Sequence, residues 1–409
     1  MKIWIKLLVG SVVGVLLGIF LPFSLQGPLE SLARLMVNVG RYALFPMVFF
    51  SLGIGTSELR QEKKLVRVYL SLFKYLALST GLLIVIGILS VLLFPPERIP
   101  IAPISIQADK AFRPVSVMEG LSAVLPRNLF SVLLGNGDFL LPLMVIAFIL
   151  GANMEFDRQL TRPIAQLFDS LSRVFYHINS LIVELFLFAM VVLGASFMMR
   201  VSQVNMGLYK QILLVLAVDT VVIVFGVFPG CLYLLGVKEN PYKWLYASAG
   251  SILAALFSGD HYVALGVLTK HGKESFGVPR MVGSAAYPLF ASIGRAGTAM
   301  VAAVSFLLVL RSYSGLEITV LQILWVLMAA FGTSFVLAAV PGNGAYYALF
   351  MLCQLYGMGL QEGYMILGSI APILVSFGAV MDAVCSAFVS LLIAREEGLW
   401  TEVEAENFI

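Results

Sequence analysis

Charge is what this 409-residue sequence has least of. Asp, Glu, Lys and Arg together make up 12% of it, against about 25% in a soluble domain. So few ions cannot keep a chain that is 60% hydrophobic in water, and the mean hydropathy of +0.96 points to a polytopic membrane protein. The net charge of +3 is too small to suggest a nucleic-acid partner. Cysteine is nearly absent: Cys231, Cys353 and Cys385 all fall in apolar runs. An odd count without CxxC spacing argues against a disulfide framework and against a zinc site. No nucleophile with a base, metal-ligand cluster or phosphate-binding loop stands out, so neither enzyme activity nor a cofactor is expected.

What the chain does have is long apolar runs. Met1 to Pro22, with Lys2 and Lys6 at its start, superficially resembles a signal peptide. It is long enough to span and no A-x-A site follows, so it reads as the first transmembrane helix. Further spans are expected at Leu29–Glu58, Leu65–Phe94, Phe139–Met154, Ile164–Met199 and Lys210–Leu235. Basic residues cluster at alternate ends of these six, which puts the N-terminus in the cytoplasm. The longest connection, from Pro95 to about Asp138, carries six prolines and a stretch of helical apolar spacing at Leu121–Leu134, and it reads as a structured excursion.

Beyond Lys243 the pattern changes. The apolar run Leu245–Leu268 is interrupted by Ser258, Gly259, Asp260, His261 and Tyr262, with lysines at both ends, which suggests a re-entrant hairpin from the cytoplasmic face. Tyr287 to Met300 reads YPLFASIGRAGTAM between apolar flanks. Ser292, Gly294, Gly297 and Thr298 predict a helix broken at membrane depth, where freed backbone must line a cavity. Arg295 lies in that break and should face a partner, a cavity or a bound anion, unless an offset crossing lets it snorkel to water. Ile318–Leu355 forms a second hairpin around Val340, Pro341, Gly342, Asn343 and Gly344. A last helix, Ile366–Arg395, returns to the cytoplasm with Asp382 and Ser386 one turn apart on one face. Asp382 reads either as a functional carboxylate or as a cap on neighbouring backbone. Asp260 suits turn chemistry as well as binding, and His261 is a candidate proton carrier. Asp219, Glu184 and His177 read as interhelical pairs or interface residues. Hairpin, broken helix, hairpin, helix is an inverted repeat, the signature of secondary transporters. The expected fold is all-α: eight transmembrane helices plus two re-entrant helical hairpins.

Four motifs then carry a resemblance. KLLVGSVVGVLLGIFLP in the first helix, PMVFFSL at Pro46–Leu52, PRNLFSVLLGNG at Pro126–Gly137 and VPGNGA at Val340–Ala345 are similar, in this order, to segments of the dicarboxylate/amino acid:cation symporter family, which has the glutamate-transporter fold. Where that family carries NMDGT, this chain has Gly294, Arg295, Ala296, Gly297 and Thr298; Val375 and Gly378 stand where it has a substrate-binding aspartate and arginine. Asp382 falls on its asparagine and Ser386 on its sodium-binding aspartate.

The resemblance implies an elevator-type homotrimer in the lipid bilayer of the plasma (inner) membrane, with both termini cytoplasmic. Residues 1–62 would be scaffold helices 1 and 2, residues 63–95 transport-domain helix 3, and residues 96–205 the excursion with scaffold helices 4 and 5. Residues 206–237 would be transport-domain helix 6, 238–273 the first hairpin, 274–312 the broken helix, 313–360 the second hairpin, and 361–409 helix 8 with a cytoplasmic tail. The expected activity is symport of a small organic anion, such as a dicarboxylate or acidic amino acid. An anion channel or a substrate-sensing membrane protein derived from a transporter is the alternative. Ser258, Gly259, Asp260, Arg295, Thr298, Pro341, Gly342, Asn343, Gly344 and Asp382 are the substrate-binding candidates; Arg295, Asp382, Ser386 and His261 are the coupling candidates. Losing the family's carboxylates speaks against classical sodium coupling, leaves Na+ or H+ as candidate coupled ions, and assigns no metal site. Arg295 would serve either as a tethered cation paired with Asp382 or Asp260, or as the partner of a substrate carboxylate.

Overall fold

A computed structural model describes residues 2–100, 112, 117–125, 128–134, 139–235, 240–314, 317–337 and 344–409. All regular structure among the described residues is helical. The first half comprises α1 (Ile3–Phe20), α2 (Gln26–Arg41), α3 (Leu44–Gln61), α4 (Leu65–Leu93), the short α5 (Val117–Val124) and α6 (Leu129–Leu133), α7 (Leu140–Asn153), α8 (Arg158–Ser202), α9 (Met206–Val222) and α10 (Phe228–Leu234). The second half comprises α11 (Tyr242–Ser258), α12 (His261–Glu274), α13 (Arg280–Ser292), α14 (Ala296–Tyr313), α15 (Val320–Val336), α16 (Gly344–Tyr356) and α17 (Ala371–Glu396). Among the described residues, seven stretches are long and apolar enough to cross a membrane, while Leu140–Asn153 and Val320–Val336 are apolar but shorter.

The expected helix Leu29–Glu58 is two helices, α2 and α3, parted at Tyr42–Ala43. Pro46 explains the break: it has no N–H to offer the Tyr42 carbonyl, and its ring would clash there, so a new helix starts just before it. Pro229 acts in the same way after α9, where the chain takes a wider turn at Ile223–Val227 before resuming as α10. In α15 the sequence Thr319-x-x-Gln322 forms a reciprocal cap: the Thr319 N–H donates to Gln322 Oε1 at 2.9 Å and the Gln322 N–H to Thr319 Oγ1 at 3.4 Å.

Packing divides the helices into an outer and an inner set. Leu181, Leu185 and Phe188 on α8, and Leu214, Val218 and Val221 on α9, form exposed apolar stripes fit for lipid. In α14, by contrast, every residue from Ala296 to Leu310 is buried, and α17 is buried over most of its length. A helix apolar all round belongs inside other helices, and α4, α15, α16 and α17 surround α14.

Among the described residues the most extensive helix pair is α1 with α8. Gly10, Gly14 and Gly18 recur every fourth residue on α1, so one face carries no side chains. A Cβ at Gly14 would stand 2.2 Å from the Val191 carbonyl oxygen. Small residues at this spacing let backbones approach where lipid removes the hydrophobic drive to associate. Gly14→Leu is therefore expected to lower stability by roughly 1–3 kcal/mol through overpacking, read as a drop in the melting temperature of detergent-purified protein. Gly81→Ala on α4, where a Cβ meets open space, is expected to leave the melting temperature unchanged or slightly raised.

Candidate functional site

The first helical pair, α11 and α12, turns at its tip on two residues. Gly259 closes α11 with φ +61, a left-handed conformation that a side chain would oppose. Asp260 opens α12: its Oδ1 accepts the N–H groups of Tyr262 and Val263, both at 2.9 Å. The same carboxylate is paired with Arg41 at the end of α2, Nε donating to Oδ1 at 3.1 Å and Nη2 to Oδ2. Asp260 is thus already committed to Arg41, and the expected pairing with Arg295 does not occur.

The broken helix is narrower than its glycines suggested. The break is Ile293 to Arg295: Ile293 is extended, Gly294 has φ +64, and α14 begins at Ala296. Gly297 and Thr298 lie in the first turn of α14, where N–H groups lack helical partners. Asp382, reaching across from α17, supplies them. Its Oδ1 accepts from the Gly297 N–H at 2.6 Å and the Thr298 N–H at 3.3 Å, and its Oδ2 accepts the Thr298 hydroxyl at 2.6 Å. A negative group at a helix N-terminus is favoured by the aligned peptide dipoles as well. On the other side of the break, the Thr80 hydroxyl donates to the freed Gly294 carbonyl at 3.4 Å.

Arg295 is 2% exposed, so it does not snorkel to water. Its Nε donates to the Ala291 carbonyl at 3.1 Å, and its Nη1 has no hydrogen-bond partner among the described residues. It makes no ion pair with Asp382, which corrects the other half of the expected pairing: Asp382 is spent on the α14 N-terminus. His261 lies beside both, with Nδ1 3.5 Å from Asp382 Oδ2 and Nε2 3.5 Å from Thr298 Oγ1. The two distances are long for hydrogen bonds. Ser386, a turn beyond Asp382, has a buried hydroxyl without a partner among the described residues. It shares a small cavity with His261 and Asp382.

Pro341, Gly342 and Asn343 lie outside the described residues. Gly344 starts α16 with φ +46. A Cβ at Gly344 or at Gly259 would meet the same atom, Val375 Cγ1, at 2.9 and 3.2 Å respectively. The ends of two helix pairs therefore converge on Val375 of α17. The site candidates fall into two clusters: Ser258, Gly259, Asp260 and Gly344 around Val375, and His261, Arg295, Thr298, Asp382 and Ser386 around the start of α14.

Beside the first cluster opens a cavity of about 240 Å³, walled by Phe197 and Arg200 of α8, Ser258 to Asp260, Tyr346, Val375 and Ser376. Arg41 and Arg200 are absent from the sequence-based candidates. A lone arginine inside an apolar run was the signal for Arg41, whereas Arg200 falls just past the expected end of its span and looks like an ordinary loop cation. Away from the site, Asp219 accepts the Ser90 hydroxyl at 2.7 Å and Glu184 pairs with Lys270 at 2.7 Å. His177 lines a larger cavity between α3, α8, α12 and α13.

A helical bundle with a broken, fully buried helix, capped in trans and flanked by a helix pair whose tip reaches the same depth, is the build of a membrane transporter. The chain belongs to the sodium:dicarboxylate symporter family, whose profile matches residues 3–396. It is 20% identical to a proton/sodium-glutamate symport protein of Bacillus caldotenax, over 100% of this chain and 96% of the relative. A protein of the same description from Geobacillus stearothermophilus is also 20% identical, over 97% and 96%. A C4-dicarboxylate transport protein of Cupriavidus pinatubonensis is 24% identical, over 84% and 79%.

Losing the trans cap would leave buried N–H groups unpaired. Asp382→Ala is expected to cost roughly 1–3 kcal/mol for each orphaned donor, seen as a large fall in melting temperature. Asp382→Asn keeps a carbonyl acceptor and should fall much less; equal losses for the two variants would contradict the capping role.

Proposed function

We propose that the protein is a secondary symporter of a small organic anion, a dicarboxylate or an acidic amino acid, in which the Arg295 guanidinium does part of the work that a mobile cation does elsewhere. The observation that carries this reading is the burial of Arg295 at the mouth of the break, with one backbone bond and a free nitrogen. A permanent charge held there lowers the need to bring in and dehydrate sodium. The names of the relatives, glutamate and C4-dicarboxylate transport proteins, support the cargo class.

The proposed architecture is the one expected from the sequence: eight crossings with α11–α12 and α15–α16 as re-entrant hairpins, in a homotrimer of the plasma (inner) membrane with both termini cytoplasmic. Residues 1–62 and 96–205 would form the scaffold. The remainder would carry the substrate by an elevator movement, with Ser258, Gly259, Gly344, Thr298 and the loop at Pro341–Asn343 around it. Asp260 and Asp382, each capping a helix, then act by holding helix N-termini toward the ligand.

Uptake of labelled dicarboxylate into sealed proteoliposomes tests the reading. Uptake is expected to proceed with choline replacing external sodium, and Arg295→Met is expected to reduce it about tenfold or more, the effect of losing one charge-assisted interaction. Strict sodium dependence, with Arg295→Met behaving as wild type, would refute it.

A further inference from the structure

Four carboxylates are buried among the described residues: Asp219, Asp260, Asp382 and Glu397. Three of them are balanced. Asp260 holds Arg41, Glu397 at the end of α17 has Arg67 Nη1 at 3.8 Å, and Asp382 holds the N-terminus of α14. Asp219 has neither a cation nor a helix N-terminus. It stands midway along the apolar stretch Met206–Leu234, in which Lys210 is the one other charged residue, and it is 4% exposed. It shares the inner face of α9 with Ile212, Val215 and Leu216, turned away from the lipid-facing stripe.

Its polar partner is Ser90 of α4, whose Oγ lies 2.7 Å from Asp219 Oδ2 and 2.9 Å from the Gly87 carbonyl oxygen. A hydroxyl has a single proton, so an ionised Asp219 contests its one donor with the Gly87 carbonyl. Asp260 and Asp382 each take at least three donors. As an acid, Asp219 brings a proton of its own, and both contacts of the Ser90 oxygen are then satisfied. Among the described residues no charge on the elements packed against α9 offsets a carboxylate there. Lys74 on α4 lies sixteen residues before Ser90, over the Tyr75 ring. On α14, Arg295 is bonded to Ala291 and Arg311 to the Pro96 carbonyl, and Asp382 on α17 caps α14. Lys210 is nine residues back along α9 itself, about 14 Å at the helical rise. A lone carboxylate so enclosed takes up a proton rather than stay charged.

We infer that Asp219 is a proton-binding site outside the cargo pocket: it holds a proton as a neutral acid against Ser90 and yields it to water where α9 loosens. The wide turn Ile223–Val227 starts one turn beyond Asp219, and such breaks in regular winding recur at functional sites. Both α4 and α9 belong to the part that moves in the symport reading. On that reading the proton, taken from water on one side of the membrane and returned to water on the other, rides with the cargo. Its residence on Asp219 does not depend on that reading.

Two measurements separate residence from carriage. Infrared difference spectroscopy of detergent-purified full chain at neutral pH is expected to show a protonated-carboxyl band that vanishes in Asp219→Asn and shifts in Ser90→Ala. In sodium-free proteoliposomes, a pH gradient of one unit, acid outside, is expected to raise wild-type accumulation of labelled succinate by up to about tenfold per proton carried. Asp219→Asn is expected to lose that increase. A spectrum in which Asp219→Asn removes no carboxyl band would overturn the site. A gradient response kept by Asp219→Asn, or missing from wild-type protein that does take up succinate, would overturn carriage and leave the symport reading standing. Absence of any wild-type uptake would overturn the symport reading and carriage together, while the infrared band decides the site.

Discussion

One carboxylate holds the centre of this protein together. A helix interrupted inside hydrocarbon frees backbone groups that water cannot reach, and each one left bare is costly. Asp382 answers this by crossing from α17 to the first turn of α14, taking two N–H groups and a hydroxyl at once. The interaction needs close approach, and the sequence allows it. A Cβ at Gly297 would stand 2.8 Å from the Gly378 carbonyl oxygen, and one at Gly378 would stand 3.1 Å from Thr298 Oγ1. Glycine on both sides lets α14 and α17 touch backbone to backbone, and the cap then fixes their register.

The same device appears at the tip of α11–α12, where Asp260 caps α12. The two aspartates differ in how their charge is balanced. Asp260 has Arg41 in direct contact from α2. Asp382 relies on the α14 N-terminus, with Arg295 close by but bonded to Ala291. A carboxylate balanced by a tight ion pair is fixed in charge. One balanced by peptide dipoles and a neighbouring guanidinium is more responsive to what comes near it, and His261 lies between Asp382 and the tip.

Much of the architecture was legible because hydrocarbon imposes simple rules. Long apolar runs had to be helices, and Gly294 inside one of them had to mark a break, although the neighbouring Gly297 and Thr298 are already helical. The sequence could not show which groups close that break. Arg41 and Asp260 are separated by 219 positions, and Gly297 and Asp382 by 85, so neither pair leaves a local pattern. Arg295 was the natural partner to name for both aspartates, since it is the charge nearest the break, yet each had found a partner that satisfies it better. For Asp382 the reading as a backbone cap describes what its carboxylate touches. The split of Leu29–Glu58 could have been read from Pro46, whose effect falls four residues upstream of itself.

The long helix α8 has a further consequence. Its 45 residues make it about 68 Å long at the usual rise, roughly twice the thickness of a bilayer's hydrocarbon core. Such a rod cannot stand upright within the membrane, and the surplus is taken up by inclination and by overhang at the headgroups. Because α1 is seated against it glycine by glycine, the two tilt as one beam. Arg200 lies near its far end, so whatever inclination the bilayer imposes on that beam is shared by the wall of the cavity beside the α11–α12 tip.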